Sequence, residues 1–516
     1  MTHTQDPPDR RRKASRGKRI LRGTAAATAA VLVLGAGAAY AYKKHLDGNL
    51  KGAPLSLGAN KLPPPKPDKQ GHSAMNILLI GTDTRATAAD CAIGGSCDDS
   101  GAGNADVEIV LHISADRSNA SMLSIPRDTD TVIPACTAPD GTKYGQIHSI
   151  INSSLGRGGP GCTQAAVEAL TGISITDWMM VDFGGVVNMA NAVGGVPVCL
   201  KQNIDDSQRL FYAGQWHDEG SHLHLAAGNN ILLKGTQALQ WLRTRHAWAP
   251  DGSDIGRGDA QHMYLNSLIR TLRANGTVTD PVGMLRIAET ATRNLTVSDN
   301  IKSVDKLLSL AEQMKSVDNN RITSLTMPHA DDPRNPTAWL VPTDDARHLF
   351  AMIANDIPLD GNAAAAPSAT PSAGTAVPSP SAPVAAGNIA VTVVNASGGK
   401  FQNRAGNMVT ALKGLGFSRA RTGSGPSAAE PASTLRFPPA LQSQAQQVAR
   451  ALHLTPASLK PAAGAAGITL DIGTDWPSGS DYTATLPKSG TVSSDASAQN
   501  AASNSTCMGV RPGYTW

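Results

Sequence analysis

Several features of large protein classes are missing from this chain of 516 residues. Its 50 glycines and 33 prolines follow no Gly-x-y period, which excludes a collagen-like triple helix. Only one apolar run is long enough to cross a bilayer, which excludes a transporter with many spans. Aromatic residues make up only 4%, so we expect two to four folded units joined by chain that cannot form a core.

Two motifs of common enzyme classes are also absent. There is no G-x-S-x-G sequence, so a serine hydrolase of the nucleophile-elbow type is not predicted. There is no P-loop either, which argues against an ATP-driven enzyme. His222 and His224 are isolated from other zinc ligands. His148 and His246 lie near the charged residues considered below and are interpreted as ordinary polar surface.

The excess of basic residues is confined to one end of the chain. Residues 1–22 contain eight basic and two acidic residues, whereas the rest of the chain contains 37 basic and 39 acidic ones. A nucleic-acid-binding protein would carry its positive charge on the folded body. We therefore predict no nucleic-acid partner.

Residues 23–42 form the one long uncharged run, and its length suits a helix across a hydrocarbon core of about 30 Å. The basic cluster precedes this run, and only Lys43 and Lys44 follow it directly, so the positive-inside rule places the N-terminus in the cytoplasm. The alternative is a cleaved secretory signal with its cleavage site at 39–41. Both interpretations export the folded body, and the first makes it a single-pass protein of the cell membrane.

Shifts in composition divide the chain into seven segments. The spacer and the linker are rich in Pro, Ala and Ser and have too little apolar content to fold. The predicted segments are a basic cytoplasmic tail (1–22), a transmembrane signal-anchor (23–42), an extracytoplasmic spacer (43–72), a large globular domain (73–357), an Ala/Pro/Ser linker (358–387), a small C-terminal domain (388–475) and a mostly disordered tail (476–516).

Strand and helix signals alternate along the large domain. Short runs rich in Val, Ile and Leu predict strands, and Thr163 is predicted to cap a helix that Gly172 ends. The strands are predicted at 75–81, 106–113, 121–125, 178–182 and 196–200, and the helices at 163–170, 183–193, 236–242 and 258–274. This alternation predicts an α/β fold, with a central mixed sheet covered by helices and a small α/β domain after it.

Charged side chains lie at or near the ends of several predicted elements, and strand ends are where α/β proteins bind ligands. They are Asp83, Arg85, Asp106, Arg127, Arg243, Arg245 and Arg257. Arginine forks match phosphate oxygens, and Mg²⁺ takes one or two carboxylates together with phosphate oxygens. The set therefore favours a site for a pyrophosphate and a metal ion, and the alternative is a set of ordinary surface ion pairs. Arg243 and Arg245 converge only if the helix before them has ended.

Four segments resemble the LytR-CpsA-Psr family, in consistent order over about residues 75–275. They are NILLIGTDTR (76–85), SIPRDT (124–129), the stretch from INSSLGRGGPG to VPVCL (151–200), and LLKGTQALQWLRTRHAWAPDGSDIGRGDAQ (232–261). Residues 388–475, which contain VTVVNASG and GNMVTALKGLGF, resemble the LytR-type C-terminal domain that is often attached to such proteins in high-GC bacteria.

The resemblance implies a membrane-anchored cell-wall ligase whose catalytic domain is 73–357. Proteins of this family move a glycopolymer from a polyprenyl-pyrophosphate carrier onto peptidoglycan with Mg²⁺, so the implied partners are this donor, the peptidoglycan acceptor and the cytoplasmic membrane. The implied metal ligands are Asp83 and Asp106, and Asp83 or a neighbour would help to deprotonate the acceptor hydroxyl. The implied catalytic residues are Asp83, Arg85, Asp106 and Arg127, and the implied pyrophosphate ligands are Arg85, Arg127, Arg243, Arg245 and Arg257.

Three positions depart from the family's pattern. Asn104 stands where the family often has Arg, two residues before the second Asp. Ile150 replaces a Lys, and Ala260 replaces the second Arg before Gln261. The first change removes one positive charge from the expected pyrophosphate site.

All six cysteines lie on the predicted exported side, where disulfides persist. They are Cys91, Cys97, Cys136, Cys162, Cys199 and Cys507. Although six cysteines allow 15 pairings, we expect the first two to close a Gly-rich loop and the next two to bond beside a Gly-Gly-Pro-Gly turn. The last two either tie the tail to the large domain or stay free.

Two other functions use the same features. One is a non-catalytic wall-binding or regulatory protein, and the other is a lipid pyrophosphatase that uses the same site with water as the acceptor. Release of polyprenyl phosphate that depends on a sugar acceptor separates the ligase from both.

Overall fold

The fold is taken from a computed structural model of the chain. It describes residues 16–55, 70–84, 103–275 (except 208, 213, 219, 251 and 253), 281–361, 384–425, 432–454 and 464–482, together with parts of 62–68 and residues 430, 458–462, 489–492, 498–501 and 507–516. Three residues singled out above, Arg85, Cys91 and Cys97, lie outside these ranges.

The strands and helices are numbered here in chain order. The strands are β1 (Lys51–Ala53), β2 (Met75–Thr82), β3 (Ala105–Ile113), β4 (Ala120–Ile125), β5 (Asp130–Ile133), β6 (Cys136–Thr137), β7 (Lys143–Tyr144), β8 (Ile147–Ile150), β9 (Asp177–Val181), β10 (Val196–Leu200), β11 (Ile204–Asp205), β12 (Arg209–Tyr212), β13 (Gln215–Asp218), β14 (His224–Leu225), β15 (Gly228–Leu233), β16 (Leu295–Ser298), β17 (Ile322–Thr326), β18 (His329–Asp331), β19 (Leu340–Pro342), β20 (Val391–Asn395), β21 (Arg421–Thr422), β22 (Thr434–Phe437), β23 (Leu459–Pro461), β24 (Ile468–Ile472) and β25 (Gln499–Asn500). The helices are α1 (Arg16–Asn49), α2 (Ser153–Gly158), α3 (Pro160–Thr171), α4 (Phe183–Ala192), α5 (Thr236–Arg243), α6 (Asp254–Asn275), α7 (Pro281–Asn294), α8 (Val304–Ser316), α9 (Asp344–Ala354), α10 (Arg404–Gly414) and α11 (Gln442–Ala451).

A mixed eight-stranded sheet with the order β1-β16-β9-β2-β3-β4-β17-β25 forms the centre of the large domain. One face packs against α3 and α9, and the other face packs against α6 and α8. Because both faces are covered, the central strands are apolar along most of their length. The predicted α/β class with a central mixed sheet is confirmed.

The register of the three central strands brings their ends together. β2 and β3 are antiparallel with Gly81 opposite Val107, and β3 and β4 are antiparallel with Glu108 opposite Ile125. The end of β2, the start of β3 and the end of β4 therefore meet at one edge of the sheet.

The helix predicted at 163–170 is longer than expected at its start. Gly159 turns the chain at φ +78°, and α3 begins at Pro160, because proline fits the first helical turn. Thr163 therefore lies inside the helix, buried, where its hydroxyl accepts a hydrogen bond from Ser154 (3.0 Å). Gly172 ends the helix at φ +69°, as predicted.

The predicted spacer at 43–72 is wrong over its first part. Helix α1 continues to Asn49, and β1 then pairs in parallel with β16 at the edge of the sheet. Leu46 and Leu50 are each only 4% exposed, and Lys43 pairs with Asp305 at 2.8 Å. These buried side chains hold a segment whose polar composition alone favoured extended chain.

Helix α1 contains the run at 23–42. Within the part of the chain that the structure describes, no helix is both long enough and apolar enough to cross a membrane. The signal-anchor at 23–42 stays a prediction.

The tail after residue 475 is not mostly disordered where the structure describes it. Strand β25 pairs with β17, and residues 507–516 lie against β10, to which Cys507 is bonded through Cys199. Met508 and Val510 are each 7% exposed. The low apolar content of the tail concealed these two buried anchors.

The small domain is a five-stranded sheet with the order β21-β20-β24-β22-β23, and α10 and α11 pack on it. Trp476 and Tyr482 belong to its core, so the domain extends beyond the predicted end at 475. In the large domain, Cys136 and Cys162 are bonded with their Cα atoms 5.6 Å apart, which ties β6 to α3.

Candidate active site

A cavity of about 330 Å³ opens where β2, β3 and β4 end or begin. Six of the seven charged residues selected from the sequence line it, namely Asp83, Asp106, Arg127, Arg243, Arg245 and Arg257. The seventh, Arg85, lies outside the described residues. Side chains from positions 83 to 257 therefore converge on one place.

Asp83 is fixed by the loop that enters β3. The backbone N–H of Asn104 donates a hydrogen bond to Asp83 Oδ1 at 2.8 Å. Gly103 has φ +71°, and a Cβ atom there would lie 2.9 Å from the same oxygen, so the close approach of the loop requires glycine. Asn104, where the family often has Arg, thus contributes its backbone to the site.

Arg127 is held by carboxylates on both sides. Its Nη1 donates to Asp106 Oδ1 at 2.9 Å, and its Nε lies 3.6 Å from Asp128 Oδ2. The side chains of Arg127 and Asp106 are 28% and 29% exposed, so both can reach a ligand in the cavity. The pair presents one cation and one anion at the edge of the sheet.

Arg243 and Arg245 converge because helix α5 ends between them. Arg243 is the last helical residue, and Thr244 is extended at φ −57° and ψ +128°. The guanidinium of Arg243 lies 5.2 Å from the centre of the Phe183 ring, which orients it. The Thr244 hydroxyl is hydrogen-bonded to that of Ser221 at 2.6 Å, which fixes the chain between the two arginines.

Three further titratable residues, none of them among the seven selected from the sequence, line the cavity. Asp182 caps α4 by accepting a hydrogen bond from the Gly185 N–H at 2.8 Å. Asp206 accepts from the Ser221 N–H at 2.9 Å. His246, an exposed side chain, also lines the cavity, which agrees with its predicted position near the charged residues. The position of Asp182 directly before the FGGVV helix was the one available signal, since aspartate is a favoured N-cap.

Glu108 lies directly behind the carboxylates of the site. It is 1% exposed, and neither of its carboxyl oxygens has a hydrogen-bond partner among the described residues. Burial raises the pKa of this carboxyl well above its ordinary value, and the Asp106 carboxylate raises it further. A buried carboxyl without a hydrogen-bond partner lowers the stability of the fold. At the edge of the sheet that carries the charged cavity, such a carboxyl is typical of a functional site rather than of a structural core.

Replacing Glu108 tests this cost. Glu108→Met is expected to raise the free energy of unfolding at neutral pH by about 1–3 kcal/mol, because Met fills similar space without burying an unsatisfied polar group. The folded protein keeps a proton that the unfolded chain releases above its ordinary pKa of 4.5, so the gain should shrink as the pH falls from neutrality towards that value and should stay constant below it. Urea unfolding of the variant and the wild type across this pH range measures it.

The matched control is Glu312→Met, at an exposed position on α8. It should change the free energy of unfolding by less than about 0.5 kcal/mol. A Glu108→Met protein less stable than the wild type at neutral pH would mean that Glu108 is compensated by a partner such as Arg257.

An apolar cavity of about 270 Å³ adjoins the charged one. Both are lined by the same group of residues, Gly81, Val107, Val181, Val186, Leu242 and Gln261. The rest of the apolar cavity is formed by Met, Leu and Ile side chains of β2, β3, β9 and α6, together with Met189, Tyr264 and Leu295. The two cavities together offer a charged head site joined to an apolar tail site.

The charged cavity contains carboxylates that are candidate ligands for Mg²⁺. Across the described residues, no cluster of three or more His, Cys, Asp or Glu side chains could hold a metal ion. Asp83 and Asp106 nevertheless line one cavity with arginines, and Mg²⁺ is usually bound by one or two carboxylates together with phosphate oxygens of the substrate. The residues present therefore fit a magnesium ion that arrives with a phosphate ligand.

Comparison with protein families assigns the chain. Residues 38–353 match the LytR_cpsA_psr family, which is more than half of the chain. The chain belongs to the LytR-CpsA-Psr family. Residues 388–476 match a second family, described as LytR cell envelope-related transcriptional attenuator, so the small domain is of the LytR type.

Curated relatives of this family include wall-polymer enzymes. The polyisoprenyl-teichoic acid–peptidoglycan teichoic acid transferase TagV of Bacillus subtilis is 30% identical over 212 residues, covering 40% of this chain and 47% of TagV. The cell wall biosynthesis protein LcpA of Corynebacterium glutamicum is 26% identical over 315 residues, or 55% of each chain. The chain spans about half the length of the curated relatives it matches.

Solved structures of the family were also found. The LytR-Csp2A-Psr enzyme from Actinomyces oris is 18% identical, with a TM-score of 0.43, covering 59% of this chain and 96% of that one. A structure of TagT bound to LI-WTA is 19% identical, with a TM-score of 0.41, covering 59% and 98%.

Proposed function

We propose that this LytR-CpsA-Psr protein is a Mg²⁺-dependent phosphotransferase that moves a glycopolymer from a polyprenyl-pyrophosphate carrier onto peptidoglycan. The observation that supports it best is the continuity of the two cavities, since a charged site with four arginines adjoins an apolar one. A lipid pyrophosphate has the same division into an anionic head and an apolar tail. Each buried CH₂ of the tail contributes about 0.8 kcal/mol to binding, so the apolar cavity anchors the donor.

The arginines bind and orient the pyrophosphate. Arg127 presents its fork from the edge of the sheet, where Asp106 holds one side of the guanidinium, and Arg243, Arg245 and Arg257 approach from the other elements. Guanidinium forks bind phosphate oxygens through two hydrogen bonds and keep their charge. They stabilise the negative charge on the transferred phosphoryl group, which is the main requirement of this chemistry.

The transfer exchanges one phosphorus–oxygen bond for another. The acceptor hydroxyl oxygen of peptidoglycan attacks the phosphorus that carries the glycopolymer, and the bond from that phosphorus to the polyprenyl phosphate breaks. Asp83, or a carboxylate beside it in the cavity, accepts the hydroxyl proton. Asp83 and Asp106 would hold Mg²⁺, which would neutralise charge on the pyrophosphate.

Purified full-length protein tests the proposal. With a lipid-linked glycopolymer donor, peptidoglycan and Mg²⁺, we expect polyprenyl phosphate to be released only when the acceptor is present. Release into water without acceptor would instead identify a lipid pyrophosphatase. No release in either case would identify a non-catalytic wall-binding or regulatory protein.

We also infer that residues 23–42 anchor the protein in the membrane with its catalytic domain outside the cell. The support is the placement of eight basic residues before this run, which the positive-inside rule assigns to the cytoplasm. A reporter fused after Trp516 that is active only outside the cytoplasm should be active. Activity of a cytoplasm-only reporter at the same position would overturn both the orientation and the proposed acceptor.

A further inference from the structure

The segment 507–516 runs along the outside of the charged cavity. It is bonded to the end of β10 through Cys199 and Cys507, and its backbone continues that strand's hydrogen bonding. The Met508 N–H donates to the Cys199 carbonyl at 3.0 Å, and the Lys201 N–H donates to the Met508 carbonyl at 2.9 Å. The segment lies outside both family matches, which cover 38–353 and 388–476.

The same segment binds the loop that carries two residues of the cavity. The Ala249 N–H donates to the Gly509 carbonyl at 3.0 Å, and the Arg511 N–H donates to the Ala247 carbonyl at 2.9 Å. The Arg511 guanidinium donates to the His246 carbonyl at 2.8 Å. Because Arg245 and His246 line the cavity immediately before these contacts, the segment fixes where their backbone lies.

A second contact of the segment supports another part of the cavity wall. The Asp205 N–H donates to the Tyr514 carbonyl at 2.8 Å, and the next residue, Asp206, lines the cavity. The Asp206 carboxylate binds the Ser221 N–H, and the Ser221 hydroxyl binds that of Thr244, between the two arginines. The segment thus bridges two walls that are about 40 residues apart in the sequence.

Burial shows that these contacts are a packed interface. Val510 is 7% exposed and forms an isolated β-bridge with Trp248, which is fully buried. Gly252 leaves the space in which the Arg511 guanidinium lies, since a Cβ atom on Gly252 would collide with it and with the His246 carbonyl. Residues 246–249 and Gly252 are therefore shaped to receive Arg511 and its segment.

We propose that residues 507–516 form a positioning element of the active site, and that Arg511 is its principal positioning residue. The segment holds in place the backbone that carries Arg245 and His246 in the cavity that Arg127 also lines. This inference rests on the proposed function, because it assigns the second phosphate of the donor to the wall that carries Arg245. Arg511 itself does not line the cavity.

The test compares two isoprenoid probes on the full-length protein in detergent with Mg²⁺. The probes are geranylgeranyl pyrophosphate and geranylgeranyl monophosphate, and calorimetric titration gives the Kd of each. Arg511→Ala should raise the Kd of the pyrophosphate by about tenfold, because the charged hydrogen bonds from Arg245 are weakened. It should change the Kd of the monophosphate by less than about threefold, because the shorter head group reaches only the Arg127 side.

Three further variants accompany Arg511→Ala. Arg511→Lys keeps a donor for the His246 carbonyl and should recover most of the affinity for the pyrophosphate. The double variant Cys199→Ser/Cys507→Ser releases the segment without touching the cavity and should behave like Arg511→Ala. Arg347→Ala removes an exposed guanidinium that pairs with Asp344 and should bind both probes as the wild type does.

Hydrogen exchange of the loop 244–252 gives a readout that needs no ligand. Faster exchange in this loop in Arg511→Ala, with unchanged exchange in β2–β4, supports the positioning role. This holds even if the wild type binds neither probe, because a failure to bind would contradict only the proposed function. Wild-type affinity for the pyrophosphate in both Arg511→Ala and the cysteine variant would overturn the positioning role and leave the proposed function standing. Equal weakening of both probes would also overturn it.

Discussion

Arg127→Lys should leave the fold intact and lower the rate of glycopolymer transfer by about 10²–10³-fold. Lysine keeps the charge but loses the planar fork that binds two phosphate oxygens at once. It also loses the geometry of the 2.9 Å bond to Asp106, so that carboxylate is no longer aligned. Single-turnover transfer from a lipid-linked donor to peptidoglycan measures the rate, and a thermal melt checks the fold.

Arg347→Lys is the control for this substitution. Its guanidinium is 42% exposed and pairs with Asp344 on α9, so the same chemical change should leave transfer within about twofold of the wild type. If Arg127→Lys transfers at the wild-type rate, the edge where β4 ends does not bind the pyrophosphate.

Asp83→Asn should lower transfer by a similar factor, about 10²–10³-fold at low Mg²⁺, with partial recovery as Mg²⁺ is raised. Asparagine is nearly isosteric and can still accept the 2.8 Å hydrogen bond from the Asn104 N–H, so the loop should keep its shape. What it removes is the negative charge that a hard divalent cation prefers. The rate is measured over a range of Mg²⁺ concentrations.

Asp344→Asn provides the matched change at an 86% exposed carboxylate. Its dependence on Mg²⁺ should equal that of the wild type. A loss in Asp83→Asn that no concentration of Mg²⁺ relieves would assign Asp83 to proton transfer alone, and full activity would remove it from the site.

The central strands and the charged edge of the sheet could be predicted from the sequence because they depend on local pattern. β2, β3 and β4 have short apolar runs ended by Gly, Asp or Pro, and antiparallel neighbours return the chain to the same edge. The convergence of Arg243 and Arg245 was predicted only for the case that the helix ends there. The extended backbone at Thr244 satisfies that condition.

Glu108 was missed, although the signal was present. In β3 both alternating sets of side chains are largely buried, so a glutamate two residues after Asp106 had to be buried whichever face it took. The prediction of a strand at 106–113 did not extend to which of its side chains are buried, so the carboxyl was not recognised. A strand in the middle of a covered sheet has no solvent face to offer.

The start of the folded body and the 507–516 segment could not be predicted from composition. Lys43–Asn49 and Met508–Val510 are held by partners far away in the sequence, α7 and α8 for the first and β10 for the second. A few apolar residues are enough to hold such a segment in place when each of them is buried against a distant part of the fold. Such long-range contacts leave no periodicity to recognise.

The connection between α1 and the sheet limits how far the large domain can move from the end of that helix. Leu50 alone separates the end of α1 from β1, and the helical residues from Lys43 to Asn49 cover only about 10 Å. If residues 23–42 lie in the bilayer, the catalytic domain is mounted on a short rigid post and not on a tether. Its cavity then stays at one height above the membrane, and under the proposed function only the innermost glycan strands of the wall would come within reach as acceptors.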